Sequence, residues 1–247
     1  MIALALSLSL LIGVSLGLMG GGGSMLTVPI LTYVAGMGTK PAIASSLLVV
    51  AVTSATGVIA HARAGRVRWR TAVLFGAAGM AGAFVGGRLA GYVPGRTLLF
   101  MFIAMMIATA IAMLRGRRGG SGAVVRDLRI GQIVVQGGTI GLVAGLVGAG
   151  GGFLIVPALT LLGGLPIEAA VGTSLVVISM QSFAGFLGHL GHVAVDWPLT
   201  LAVTGTAVVG SFVGGALTSK VSAAALRRGF GVFVLVMAAI MLAKQLG

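Results

Sequence analysis

The sequence predicts an all-α fold, a polytopic transmembrane helical bundle made of two homologous halves. The first observation behind this prediction is composition, since the chain is 58% hydrophobic and 8% charged, with a mean hydropathy of +1.16. A soluble domain of 247 residues has too small a core to bury that much apolar surface. The second observation is a duplication, because residues 13–114 align without a gap on residues 141–242, 128 positions further along.

The duplication preserves glycines, a proline and several polar residues. In the first copy the glycine–proline pattern consists of Gly13, Gly17, Gly20, Gly22, Gly23 and Pro29, and in the second of Gly141, Gly145, Gly148, Gly150, Gly151 and Pro157. We expect a pseudo-two-fold internal repeat, with transmembrane repeats at residues 1–114 and 130–247 and a basic cytoplasmic linker at 115–129. A duplicated apolar chain with a break at the start of each half is typical of membrane transporters with internal symmetry.

Each half contains about four hydrophobic segments. The first segment is long and is interrupted by glycines and a proline, at residues 2–36 and 130–164. Three plainer segments follow, and each is near the ~20 residues that a helix needs to cross a bilayer. They lie at residues 42–60, 71–89 and 97–114, and again at 169–187, 199–217 and 229–246. The run at residues 2–18 lacks the basic start of a signal peptide, so we expect it to be part of the mature fold.

The basic residues predict the orientation in the membrane. The chain has a formal net charge of +13, but its arginines cluster at the ends of apolar segments instead of along one soluble face. The clusters consist of Arg63, Arg66, Arg68 and Arg70, then Arg115, Arg117, Arg118, Arg126 and Arg129. Such clusters mark the cytoplasmic side of a membrane protein. We therefore expect a multi-pass protein of the cell inner membrane, with the lipid bilayer and not nucleic acid as its partner.

Hydrophobic length leaves two arrangements of the halves open. If each interrupted segment crosses once, each half has four spans and the halves run parallel. If it folds back as a hairpin at the glycines, the halves are inverted. Loop 189–198 has no Lys or Arg, whereas 220–228 carries three basic residues, and this difference favours inversion.

The interrupted segments contain the first candidate site. Consecutive glycines lower helix propensity, and a broken backbone at membrane depth is tolerated only inside protein or beside a wet cavity. A break starts a new half-helix, whose free N–H groups and partial positive charge attract anions. The candidate residues are Gly20, Gly21, Gly22, Gly23, Ser24 and Thr32, with Gly148, Gly150, Gly151, Gly152 and Thr160 in the second half. The alternative is a tight turn or a close packing contact.

A polar stripe on the following helix contains the second candidate site. Ser46, Thr53, Ser54, Gly57 and His61 are spaced so that they share one helical face, and the second half places Ser174, Gln181, Ser182, Gly185 and His189 on the corresponding face. These residues line a path for a polar solute or make interhelical hydrogen bonds. The two histidines are candidates for a proton relay, or for structural residues beside the tryptophans of an interfacial belt.

The cysteine and carboxylate content of the chain argues against catalysis. The chain has no cysteine, and its only carboxylates are Asp127, Glu168 and Asp196, all at loops or segment ends. A carboxylate-centred cation site in mid-membrane is therefore not expected. The glycine-rich runs also lack the Gly-Lys-Ser/Thr ending of a nucleotide-binding loop. We expect no enzyme activity, no metal and no cofactor.

The duplicated glycine–proline pattern, with the Ser/Thr-Ser-Leu runs at 45–47 and 173–175, resembles the sulfite exporter TauE/SafE family, also called the toluene sulfonate uptake permease family. Ser24, opposite Gly152, departs from an all-glycine break. The resemblance covers nearly the whole chain.

The resemblance implies a secondary permease or exporter for small anions, such as sulfite, organosulfonates or sulfur-containing organic acids, working by alternating access and with protons as a coupling ion. An anion channel, a permease for small carboxylates and a membrane subunit without a transport role are the alternatives. The oligomeric state is not implied.

Overall fold

The computed structural model describes residues 2–19, 23–114, 130–148, 150–161, 165–217 and 223–246. Within these ranges it contains helices joined by turns and no strand, which confirms the all-α prediction. The helices are α1 (Ile2–Met19), α2 (Ser24–Pro29, continued by a π-helical turn at Ile30–Val34), α3 (Thr39–Arg63), α4 (Trp69–Ala90), α5 (Gly95–Leu114), α6 (Ile130–Val147), α7 (Gly152–Leu161), α8 (Ile167–His189), α9 (Trp197–Leu217) and α10 (Ala223–Leu246).

Four of the described helices are long and apolar enough to cross a membrane on length and composition. They are Thr39–Arg63, Trp69–Ala90, Glu168–His189 and Trp197–Ala216. The described residues also form shorter apolar helices at Leu4–Leu18, Ser24–Val34, Gly95–Ile111, Gly131–Val147 and Val234–Gln245. The chain is therefore a multi-pass bundle, although the predicted linker 115–129 lies outside the described residues.

Local sequence sets several helix ends. Pro41 lies in the first turn of α3, where its missing N–H costs no helical hydrogen bond. Gly65 follows α3 with a φ of +67°, the left-handed conformation that commonly ends a helix. At the start of α9, the Asp196 carboxylate accepts a hydrogen bond from the Leu199 N–H at 3.1 Å.

Each interrupted segment folds back as a hairpin. Gly23, just before α2, packs against the backbone of Ile12 and Leu16, so α2 returns along α1. The π-helical turn after α2 also packs on α1. In the second half, a Cβ at Gly151 would lie 3.0 Å from the Cβ of Ala144 on α6. Of the two arrangements left open by hydrophobic length, the structure has the hairpin.

Helices α3 and α8 cross in opposite directions. Leu47 near the start of α3 contacts Gly185 near the end of α8, and Gly57 near the end of α3 contacts Leu175 near the start of α8. Between these contacts, Ser179 donates a hydrogen bond to the Ala51 carbonyl at 3.0 Å. Equivalent segments of the two halves therefore run antiparallel here, as an inverted repeat requires. The pseudo-two-fold symmetry and the repeat boundaries stay predictions.

Two opposite ends of the bundle can be recognised from contacts. The Arg68 N–H donates to Thr173 Oγ1 at 3.0 Å, so α8 begins at the end where α3 finishes; we call this the basic end. At the other end, Lys40 Nζ donates to the Gly91 carbonyl at 2.8 Å, and the rings of Tyr92 and His192 are 5.6 Å apart. The arginine-rich loop between α3 and α4 lies at the basic end, which is the end that the positive-inside rule predicts to be cytoplasmic.

The tightest helix packing joins the two halves and depends on glycine. On α4, Gly82 and Gly86 contact the backbone of α6 at Gly138 and Leu142. On α9, Gly210 and Gly214 contact the backbone of α1 at Leu10 and Val14. Small residues spaced four apart let helix backbones approach this closely. The two glycine pairs therefore pack helices of one half against helices of the other.

Candidate functional site

The second hairpin turns through glycines in a conformation that other residues rarely adopt. Gly148, Gly150 and Gly151 have φ values of +79°, +63° and +67°. Space is as restricted as conformation, since a Cβ at Gly150 would lie 2.7 Å from Val50 Cγ1 and 2.9 Å from Ser182 Oγ. This turn is the backbone break that the sequence predicted, and it lies against α3 and α8 in the protein interior.

The first hairpin is described from Gly23 onward, and Gly20, Gly21 and Gly22 lie outside the described residues. Gly23 has ordinary right-handed angles (φ −64°, ψ −22°), unlike its counterpart Gly151. Ser24 is fully buried at the start of α2. Thr32, in the π-helical turn, has a buried hydroxyl with no hydrogen-bond partner.

Ser46 ties the second turn to α3. Its hydroxyl lies 2.7 Å from the Ile43 carbonyl of its own helix and 2.7 Å from the Gly148 carbonyl of the turn. A hydroxyl has one hydrogen to donate, so the two carbonyls share or alternate this bond. Ser46 is therefore already engaged with the backbone and fixes the position of the turn.

Four side chains on α3 and α8 are fully buried and lack a hydrogen-bond partner. They are Thr53, Ser54, Gln181 and Ser182, which we call the polar seam. Ser54 lies one helical turn from both Ala51 and Gly57, the residues through which α3 contacts α8. Native proteins rarely leave buried polar groups unpaired, because each costs roughly 1–3 kcal/mol. This stripe of the sequence prediction is thus brought to the crossing of the two helices.

Gln181 has the most specific surroundings of the four. Its amide packs against Gly79 of α4, where a Cβ would collide with it. On the other side, its Oε1 lies 3.3 Å from the position of a Cβ on Gly151 in the turn. Ser182, the next residue, is beside Gly150. One end of the polar seam therefore borders the glycine turn directly.

Two leucines close the polar seam at both ends. Leu47 packs on Gly185, with its Cδ1 3.3 Å from the ideal Cβ position, and Leu175 packs on Gly57 at 3.5 Å. Both leucines are fully buried. Leu175 lies toward the basic end of the crossing and Leu47 toward the opposite end, so the seam is shut from both membrane sides.

The other predicted residues lie in less distinctive places. Ser174 donates to the Val171 carbonyl of its own helix at 2.8 Å, and Thr160 to the Val156 carbonyl at 3.0 Å. His61 is buried at the basic end, beside the backbone of Gly17. His189 is buried at the opposite end, with Nδ1 2.9 Å from the Gly185 carbonyl. The two histidines are not brought together.

Sequence reasoning missed two residues, one beside the polar seam and one in α2. Gly79 makes room for the Gln181 amide, but its counterpart is Ala207, so the comparison of halves did not single it out. Thr27 is fully buried in α2 with an unpartnered hydroxyl, two residues before Pro29. A lone hydroxyl so close to the proline of an apolar segment was the available signal.

The candidate site is polar without formal charge. None of the buried side chains in the described ranges is Lys, Arg, Asp or Glu. The same residues contain no group of three His, Cys, Asp or Glu side chains that could hold a metal ion. An open depression of about 430 Å³ near the start of α6, lined by Gln132 and Gln136, lies away from the polar seam.

Crossing helices with uncharged polar groups buried beside a glycine-rich hairpin are typical of multi-pass membrane transport proteins. The chain belongs to the sulfite exporter TauE/SafE family, whose model matches residues 5–241. It is 35% identical over 235 residues to a "probable membrane transporter protein" of Xylella fastidiosa, covering 92% of this chain and 90% of the relative. No solved structure matches the chain.

More distant relatives have similar descriptions. A "probable membrane transporter protein", YdhB, of Bacillus subtilis is 27% identical, with 85% of this chain and 87% of the relative covered. A "probable membrane transporter protein" of Methanocaldococcus jannaschii is 26% identical, with coverage of 91% and 90%. The predicted family resemblance is confirmed, and the chain is a membrane transporter, a class of protein that is generally not enzymatic.

Proposed function

We propose that this chain is a secondary carrier of the inner membrane for small oxyanions, with sulfite or an organosulfonate as substrate, and that it works by alternating access. One observation carries the proposal: the four unpartnered polar groups of the polar seam are buried at the helix crossing and closed on both sides. Hydroxyl and amide groups donate hydrogen bonds to an anion at little cost when they are already desolvated.

The second glycine turn supports the same role. Helix α7 begins at Gly152. The N–H groups of Leu154 and Ile155 bond the Gly151 carbonyl, so only the first two N–H groups of the helix lack such an acceptor. Gly150 is adjacent to Ser182, so an anion at this end of the seam lies near the start of α7. Backbone polarity and neutral side chains then bind the guest without a buried cation. The family name, which refers to sulfite export, supports the choice of substrate class.

The two leucines are consistent with an occluded state of an alternating-access carrier. Leu47 and Leu175 both pack on glycines of the opposing helix, and the described side chains of the polar seam are fully buried. A gated channel also has a closed state, so transport measurements must separate the two mechanisms. Counterflow in proteoliposomes separates the two, since exchange of labelled for unlabelled anion against its gradient requires a carrier.

The test is transport by purified protein with Ser54→Ala and Ser182→Ala. We expect each variant to raise the KM for sulfite by roughly 5- to 100-fold, because each loses a buried donor to the anion. Thr206→Ala is the matched control, since Thr206 bonds only carbonyls of its own helix, at Ala202 and Val203. Unchanged KM values in both serine variants would contradict the proposed site.

A further inference from the structure

Gln181 breaks the chemical match between the halves at the polar seam. Its counterpart is Thr53, and the glycine that makes room for its amide, Gly79, has the counterpart Ala207. One pair therefore combines a large side chain on α8 with a glycine on α4. The equivalent positions on α3 and α9 hold a threonine and an alanine. Gly79 leaves the space that the Gln181 amide occupies, and the second half has an alanine at the position equivalent to Gly79.

Both polar atoms of the Gln181 amide are buried without a partner. The amide nitrogen has two hydrogens to donate, and the amide oxygen accepts. A guest that only accepts hydrogen bonds satisfies the nitrogen and leaves the oxygen unpaired beside a negative charge. A guest that also carries an O–H satisfies both atoms.

Charge restricts the guest further. The described buried side chains include no Lys or Arg, and the nearest of these on α3, Lys40 and Arg63, lie nine or more residues from Ser54. Nine residues span about 13 Å of helix. Burying two negative charges at one point costs far more than burying one, and a distant surface cation offsets little of that cost. The site favours a single charge.

We propose that Gln181 determines specificity, and that it selects singly charged oxyanions that still carry a hydroxyl group over fully deprotonated anions and over analogues without that hydroxyl. This inference rests on the proposed carrier function and narrows its substrate class to anions such as hydrogen sulfite, because an organosulfonate carries no acid hydroxyl at neutral pH. In the bound state, the amide nitrogen donates to an oxyanion oxygen while the guest hydroxyl donates to Oε1. Ser182, beside Gly150, donates to a second oxygen.

The probes are two matched pairs in which a methyl replaces the hydroxyl: hydrogen sulfite with methanesulfinate, and hydrogen carbonate with acetate. Sulfate serves as the doubly charged probe. Initial rates are measured in proteoliposomes at a pH where the hydroxyl-bearing member is mainly singly charged. For the unaltered protein we expect a preference of about tenfold or more for the hydroxyl member of at least one pair, and rejection of sulfate.

The decisive variant is Gly79→Ala combined with Gln181→Thr, which copies the Ala207 and Thr53 pair. The added Cβ fills the space that the amide leaves, so we expect stability to be retained, as a thermal melt would verify. The preference for the hydroxyl member should fall below about twofold while transport of the methyl analogue continues. Gln181→Asn, which keeps the amide, should retain part of the preference.

Two results would overturn the inference. One is an unaltered protein that transports both members of each pair equally; the other is a double variant that keeps the full preference. In either case measurable transport leaves the carrier function standing. Absence of transport of every probe by well-folded protein would instead remove the carrier function, and the specificity role with it.

Discussion

Single residues define the glycine turn that borders the polar seam. Three glycines with positive φ within four positions, at 148, 150 and 151, cannot be replaced without backbone strain of roughly 1–2 kcal/mol each. The glycine–proline pattern predicted this break, because consecutive glycines in an apolar segment disfavour an unbroken helix. What the pattern did not predict is the difference between halves, because Gly23 has right-handed angles and Gly151 does not.

Gly150→Val is therefore expected to abolish transport while membrane insertion continues. The new side chain would combine a strained φ with collisions against Val50 and Ser182, which displaces the turn from the polar seam. Flux is measured in proteoliposomes, and insertion by the yield of monodisperse protein. Gly205→Val is the control, since Gly205 is exposed on α9 and has nothing within 4 Å of an added Cβ. Full transport by the Gly150 variant would remove the turn from the mechanism.

The sequence predicted part of the polar seam. Helical spacing placed Thr53 and Ser54 on one face of α3, and Gln181 and Ser182 on the corresponding face of α8. All four side chains are buried. Spacing could not distinguish groups that bond the backbone from groups without a partner: Ser46 bonds the Gly148 carbonyl, whereas Ser54 bonds nothing. That difference depends on where the turn packs, which is a long-range contact between halves.

At the scale of elements, hydropathy could not predict that α3 and α8 cross in opposite directions. A segment that crosses once and a segment that folds back have the same apolar length, so only contacts between distant residues decide between them. The hairpin adds one change of direction to each half, so the second half begins from the opposite side and α3 and α8 run antiparallel. It also places Leu47 and Leu175 at opposite ends of the polar seam.

We expect each leucine to control access from one side. Leu175→Ala should raise the reactivity of a cysteine at Ser54→Cys toward a small charged thiol reagent added from the cytoplasmic side. Leu47→Ala should do the same for Ser182→Cys from the other side. The physical reason is the cavity left by removing a buried leucine side chain, which also lowers stability by about 2–5 kcal/mol.

The control for both leucine variants is Val209→Ala, because Val209 is 58% exposed on α9 and its truncation opens no internal cavity. Cysteine chemistry is straightforward in this chain, which has no native cysteine. Equal reactivity from both sides in either leucine variant would contradict one-sided access. Unchanged reactivity in both would show that other residues close the seam.

At the scale of the whole molecule, the contacts divide the loops between two membrane sides. Ala64, between α3 and α4, and Glu168, at the start of α8, are exposed at the basic end. Pro94 and Gly191 are exposed at the opposite end, near the Tyr92 and His192 pair. The positive-inside rule predicted one side for the arginine-rich loops, and the antiparallel crossing extends that assignment to the second half.

Single-cysteine variants test this topology. With a membrane-impermeant maleimide on spheroplasts, Pro94→Cys and Gly191→Cys should label at once. Ala64→Cys and Glu168→Cys should label only after the membrane is permeabilised. Labelling of Ala64→Cys and Gly191→Cys from the same side would contradict the arrangement, since α3 and α8 would then not be antiparallel.

The way the halves interlock has a consequence for how the chain is made. Helix α1 packs its glycines on α9, and α4 packs its own on α6, so these first-half glycines lack their partners until the second half has been synthesised. Until α9 emerges, α1 exposes Gly13 and Gly17 to lipid, where small residues gain no close neighbour. The helix packing of the first half is therefore completed only after α6 and α9 have been synthesised.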